Sequence, residues 1–251
     1  MSAPVLRVRG LRKAFGGVAA LRDLSFGVDR GEVVALIGPN GAGKTTCFNL
    51  IDGQLAPDAG DVQFESRSIT GLAAQAIAHR GIGRTFQVAA TFASMTVRES
   101  VVLALAARDR HDARIGPGLL PAATPEADAL LATVGIAALA ERHCAALAYG
   151  DAKRVELALA LAGNPRLLLM DEPTAGMAPQ SRRELMQLAT GLVRRGEAAM
   201  LFTEHDMDIV FEFADRIIVL DRGTVIAEGP PAAIRADPRV RAVYLGEDPS
   251  A

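Results

Sequence analysis

Three short stretches place reactive side chains in an order suited to phosphate chemistry. The first is GPNGAGKT, Gly38 to Thr45, which fits the pattern of a glycine, four residues of any type, a glycine, a lysine and a serine or threonine. A strand-like run, EVVALIG, precedes it and a helix is expected after it. In that setting successive backbone N–H groups can surround an anion, and the helix N-terminus adds a favourable dipole. Lys44 would bridge the β- and γ-phosphates of a nucleotide, and Thr45 would offer its hydroxyl oxygen to Mg²⁺. The expected phosphate-binding set is Gly38, Pro39, Asn40, Gly41, Ala42, Gly43, Lys44, Thr45 and Thr46. A lysine inside a glycine loop has little structural use.

The second stretch, LLLMDEP, ends an apolar run in Asp171, a carboxylate that would complete the magnesium shell, followed by Glu172 as the base for an attacking water. Two adjacent acids could instead form a solvated turn. The four apolar residues before them argue for a buried strand whose carboxyl end reaches the rim of the sheet, where ligands sit in open α/β folds. The third is His205, after the strand-like AAMLFTE. A lone histidine is commonly structural, but at a third strand end it would bond the γ-phosphate and orient the water. His79, His111 and His143 have no such context, and no Cys/His spacing suggests zinc.

These residues need a buried parallel sheet to bring them together. EVVALIG and LLLM are continuous apolar runs of the kind covered on both faces. VLRVRGL and LSFGV predict two earlier strands, LAPDAGDVQF a turn and a strand pair, and LAAQAIAHRGIG a short helix. From about 89 to 163 the pattern becomes helical: VRESVVLALAARDR, a loop IGPGLLPAATP, then a helix EADALLATVGIAALAERH. The α/β rhythm resumes at Leu167 with helices PQSRRELMQLATGLVRR and DMDIVFEFA, strands AAMLF, RIIVL and GTVIAEG, and one further helix in the tail.

The 251 residues suit one large domain with an insertion, and hydrophobic residues at 50% against 22% charged describe a globular chain. A net charge of -2 lacks the basic excess of phosphate-tracking proteins, so no nucleic-acid partner is expected. Cys47 and Cys144 read as small buried thiols rather than a disulfide framework. No run of 18 or more apolar residues occurs, so a role at a membrane is expected to come through a partner.

The order of the phosphate loop, Gln87 in GIGRTFQ, LAYGD, LLLMDEPTAG and TEH resembles the ATP-binding subunits of ABC transporters along nearly the whole chain. That resemblance implies an α/β fold: a phosphate-loop ATPase core with a parallel sheet, an N-terminal antiparallel β-subdomain and an inserted α-helical subdomain. Residues 1–88 and 164–228 would form the core and β-subdomain, 89–163 the helical insertion and 229–251 a helical tail. It further implies a dimer in which ATP and Mg²⁺ lie between one subunit's phosphate loop and the other's signature. Ala148, Tyr149, Gly150 and Asp151 would be that signature, a helix start aimed at the partner's γ-phosphate. Phe15 would stack on adenine, Gln87 would link the magnesium site to the transmembrane partner, and TAGMAP would be the D-loop.

Within that family the chain is most similar to the larger ATPase subunit of branched-chain amino-acid importers, through GIGRTFQ, MTVRES, LAYG, EPTAGM, TEHDMDIVFEFADRIIVL and RVRAVYLGED. ATPases of urea or amide importers and of the lipopolysaccharide exporter share much of this. The resemblance implies two transmembrane permease subunits, a periplasmic or extracellular binding protein acting indirectly, and peripheral attachment at the cytoplasmic face of the plasma membrane. The usual signature reads Leu-Ser-Gly-Gly-Gln. Here Leu147 to Asp151 lacks the serine and the first glycine and ends in an acid, while the chain's own phosphate loop, Asp171, Glu172 and His205 are intact. That asymmetry predicts a heterodimer with a second ATPase subunit.

Overall fold

The computed structural model describes residues 4–85, 93–109, 119–195 and 198–245. β1 (Leu6–Phe15) and β2 (Val18–Val28) make a long antiparallel hairpin. β3 (Val33–Ile37) runs through the glycine loop into α1 (Lys44–Ile51), followed by β4 (Ala59–Phe64), β5 (Arg67–Ser68), α2 (Ala74–Ala78) and β6 (Ile82–Thr85). The helical segment contains α3 (Val97–Asp109), α4 (Leu119–Thr133) and α5 (Tyr149–Ala162). Then come β7 (Leu167–Asp171), α6 (Pro179–Arg194), β8 (Ala199–Thr203), α7 (Met207–Phe213), β9 (Arg216–Asp221), β10 (Thr224–Gly229), α8 (Pro231–Ala236) and α9 (Pro238–Leu245).

Two sheets result. The antiparallel one has the order β2-β1-β4-β5, and the larger has the order β10-β9-β3-β8-β7-β6. In the larger sheet β9, β3, β8, β7 and β6 are parallel and β10 turns back antiparallel on β9. The parallel strands are apolar without interruption because both faces are covered. Val33, Ala35 and Ile37 of β3, with Leu168, Met170, Met200 and Phe202, fill a core shared with the helices. Val34, Leu36, Leu167, Leu169, Ala199 and Leu201 fill a second core with α1 and the antiparallel sheet. Each valine, leucine, isoleucine, methionine or phenylalanine side chain so withdrawn from water contributes about 1.5–3 kcal/mol before entropic costs.

Several boundaries differ from the sequence reading. The predicted helix over 72–83 is confined to Ala74–Ala78, and Ile82–Thr85 is instead an edge strand on β7. Four residues are too few to carry a recognisable period. α4 begins at Leu119, inside the stretch read as a loop, and tolerates Pro125 because Ala123, Ala127 and Leu131 pack into the helical core. The predicted helix to His143 ends near Thr133, where Gly135 takes a φ of +75°, and two 3₁₀ turns follow. The tail holds two helices, separated by Asp237 in an extended conformation before Pro238. Both pack on the chain's own sheet: Ile234 and Val240 join the helical core, and the Arg235 guanidinium lies 4.3 Å from the centre of the Phe211 ring.

Candidate active site

The carboxyl ends of β3, β7 and β8 bring the phosphate loop, the paired acids and the histidine to one rim. The loop after β3 is set by close backbone approach. A Cβ at Gly43, where φ is +107°, would stand 2.7 Å from the Ala20 carbonyl oxygen and 2.7 Å from Leu21 of β2. The Ala42 carbonyl accepts from the Gly223 N–H at 3.0 Å, so the β9–β10 turn holds the loop from the other side. Asn40, Gly41 and Thr45 are exposed along it, while Ala42 is buried. Pro39, Gly43 and Thr46 are partly covered. Lys44 is 7% exposed and donates from Nζ to the carbonyl oxygens of Gly38, at 2.7 Å, and Pro39, at 3.2 Å. Burial pushes its pKa down, opposed by the charges of Glu172 and Asp171.

Asp171, the last residue of β7, is 5% exposed. Thr203 Oγ1 at the end of β8 donates to its Oδ1 at 2.8 Å and accepts from the Glu172 N–H at 3.0 Å, so one hydroxyl organises both acids. Arg84 of β6 donates to Asp171 Oδ2 at 3.1 Å and to Asp52 Oδ2 at 2.5 Å, holding two carboxylates beside the N-terminal and C-terminal ends of α1. Glu172 has a φ of +49°, a left-handed conformation that costs a non-glycine residue about 1–3 kcal/mol and persists only where its surroundings determine it. Its Oε1 lies 2.8 Å from Nε2 of the half-exposed His205.

Glu204, between Thr203 and His205, is 4% exposed. Its Oε1 accepts from Thr174 N at 2.8 Å and Thr174 Oγ1 at 2.7 Å. Burial raises its pKa, and the Glu172 charge acts in the same direction against these bonds. Arg84, Thr203, Thr174 and Glu204 lie in the GIGRTFQ, TEH and TAGMAP stretches, but the sequence analysis gave none of them a role of its own. The visible signal for Thr203 and Glu204 was their place immediately before His205. The signal for Arg84 was a charged residue inside an apolar GIGRTF run.

The signature candidates stand elsewhere. Ala148 and Tyr149 are exposed at the start of the fourteen-residue helix α5, with Asp151 in its first turn. Tyr149 and Gly150 lie against Gly176 and Met177 in the turn after Glu172. Phe15, at the tip of the β1–β2 hairpin, is 47% exposed, with the Lys13 ammonium 5.6 Å from its ring centre. Gln87 lies outside the described residues. Among the described residues no group of three or more His, Cys, Asp and Glu could hold a metal ion by itself, and no helix is long and apolar enough to cross a membrane. Both cysteines are buried.

A glycine loop opening α1, with two acids and a histidine on neighbouring parallel strand ends, defines a phosphate-loop nucleotide hydrolase. The model of the ABC transporter family matches residues 21–175, and that of the C-terminal segment of the branched-chain amino acid ATP-binding cassette transporters matches residues 224–249. The high-affinity branched-chain amino acid transport ATP-binding protein LivG of Salmonella typhimurium is 40% identical over 256 residues, covering 98% of this chain and all of that one. BraF of Pseudomonas aeruginosa, described in the same words, is 38% identical over 259 residues with the same coverage. The ADP conformation of MJ1267, an ATP-binding cassette of an ABC transporter, superposes with a TM-score of 0.85 at 32% identity, covering 98% of this chain and all of that one. The chain therefore belongs to the ATP-binding subunits of ABC transporters, which bind and hydrolyse ATP.

Proposed function

We propose that this chain powers an importer of branched-chain or related amino acids, hydrolysing ATP in a heterodimer with a second ATPase subunit. The hydrolytic part rests above all on the 2.8 Å pairing of Glu172 with His205 beside the phosphate loop. The substrate class rests on full-length likeness to LivG and BraF and on the matching C-terminal segment. ATPases of this family act as dimers with membrane permease subunits. In this reading the chain sits peripherally on its permeases, at the cytoplasmic face of the membrane, and a binding protein on the far side delivers the amino acid.

The loop N–H groups and Lys44 hold the β- and γ-phosphates, and Phe15 offers an exposed ring for adenine. Glu172 takes the proton of a water that His205 orients toward the γ-phosphate, so catalysis is positioning and charge neutralisation. The donor set fits magnesium. Thr45 is an exposed hydroxyl at the first turn of α1, and Asp171 retains lone pairs beyond those used by Thr203 and Arg84. Both are hard oxygen ligands that act together with substrate phosphates, with Gln87 as the third candidate. When bound, Mg²⁺ neutralises charge on the phosphates.

The exposed start of α5 supports a role in closing the partner's site. Asp151 in its first turn suits the helix dipole but repels a phosphate, which weakens the site that this chain completes. The test is the solution mass of the Glu172→Gln protein with and without Mg-ATP, alone and beside the second subunit. Pairing only with the second subunit supports the heterodimer. A tight ATP-dependent homodimer sinks it.

A further inference from the structure

We propose that Glu204 is a positioning residue for hydrolysis: its buried carboxylate braces the turn that presents Glu172 and locks that turn to the backbone of His205. The inference rests on the roles given above to Glu172 and His205. Thr174, 1% exposed, gives both its N–H and its hydroxyl to Glu204 Oε1, at 2.8 and 2.7 Å. The other oxygen faces the His205 N–H at 3.3 Å. All these donors come from the two segments that carry the acting side chains. A buried carboxylate is costly unless its lone pairs are filled, and charge-assisted bonds are the strong ones. Holding a turn at this point is a use that matches that cost.

A second brace lies at the far end of the same turn. Arg182 of α6 donates from Nε to the Met177 carbonyl and from Nη1 to Asp206 Oδ2, both at 2.7 Å. Asp206 in turn caps α7 by accepting from the N–H groups of Asp208 and Ile209. Within the turn, Ala175 N–H bonds to Glu172 O and Met177 N–H to Thr174 O. The stretch from Glu172 to Met177 is therefore tied at Thr174 to the residue before His205 and at Met177 to the residue after it. The base and the water-orienting histidine are placed as one unit. Tyr149 and Gly150, at the start of α5, lean on Gly176 and Met177 of that unit.

The experiment measures steady-state ATP hydrolysis, ATP affinity and thermal unfolding for full-length Glu204→Ala, Glu204→Gln and Thr174→Val. Misplacing a catalytic group by about 1 Å can cost on the order of 10²-fold. Glu204→Ala is expected to lose kcat on that scale with KM for ATP nearly unchanged. Glu204→Gln, whose amide oxygen still accepts from Thr174 but whose NH2 cannot accept from the His205 N–H, should recover part of the loss. Unchanged kcat in Glu204→Ala overturns the proposal. So does a parallel fall in kcat and ATP affinity that Gln does not rescue, since that describes a merely structural residue. If Glu204→Ala does not fold, Thr174→Val decides, because it removes one donor and leaves the carboxylate: lowered kcat at constant KM supports the brace, and wild-type kcat overturns it. Glu172→Gln, run alongside, tests the underlying reading separately, because full activity there removes Glu172 as base whatever the Glu204 variants do.

Discussion

Nε2 of His205 stands 2.8 Å from Oε1 of Glu172, although the two lie on different strand ends and 33 residues apart in the chain. Glu172 of this pair also lies near enough to Lys44 for its charge to oppose the lowering of the lysine pKa by burial. Glu172→Gln preserves the size of the side chain and removes its basicity. ATP affinity is expected to hold while turnover falls by about 10²–10⁴-fold. Equilibrium binding of a fluorescent ATP analogue beside a phosphate-release assay checks it. Turnover near wild type would remove Glu172 from the mechanism.

Arg84 ties Asp52 to Asp171, and all three side chains are 10% exposed or less. Arg84→Met fills similar space without a charge and strands two buried carboxylates, so unfolding should become easier by about 3–5 kcal/mol. Urea denaturation measures this. A change below about 1 kcal/mol, the scale of an exposed pair, would mean that water takes over the role of the guanidinium.

Gly43→Ala has little room to succeed. Its backbone φ of +107° is unfavourable for alanine, and the added carbon would press on Ala20 and Leu21 at 2.7 Å. A loss of about 1–3 kcal/mol in stability is expected, together with weaker ATP binding because the loop N–H groups are displaced. Calorimetry with ATP titration reads both. Wild-type affinity would show that the loop adapts without moving its donors.

Glu204 gives a pH dependence of defined sign. Burial raises its folded-state pKa above the ordinary 4.5. Between the ordinary and the folded value the native protein therefore keeps a proton that the unfolded chain has released. The stability contributed by this site falls as pH rises from about that ordinary value through the folded pKa, and is lowest above it. Glu204→Gln should flatten this component, so the variant gains stability relative to wild type as pH rises through that window. Unfolding free energies of both proteins across a pH series provide the comparison, and parallel curves would contradict it.

The catalytic strands and the phosphate loop were legible because long apolar runs ending in charged residues have few other uses in a parallel sheet. β6 was not, since Ile82–Thr85 is short and follows a glycine with φ +97°, so its identity as a strand comes from pairing with β7. α4 was read short because Pro125 looks like a boundary, whereas packing of Ala127 and Leu131 overrides that local preference. In the site, Glu172 and His205 carry their chemistry in their residue types. Thr203, Glu204 and Arg84 act through partners 30 or more residues away, a relationship that only the folded chain discloses.

The division of each central strand between two cores makes it a septum with a parity rule. In β8, Met200 and Phe202 belong to the chamber of α5, whose start carries Tyr149. Ala199 and Leu201 belong to the chamber of α1, whose first residue is Lys44. Substitutions one position apart thus address opposite compartments, and a compensating change must be sought on the same side of the wall. The side that backs the phosphate loop's helix and the side that backs the exposed start of α5 can be retuned separately, through alternate letters of one strand.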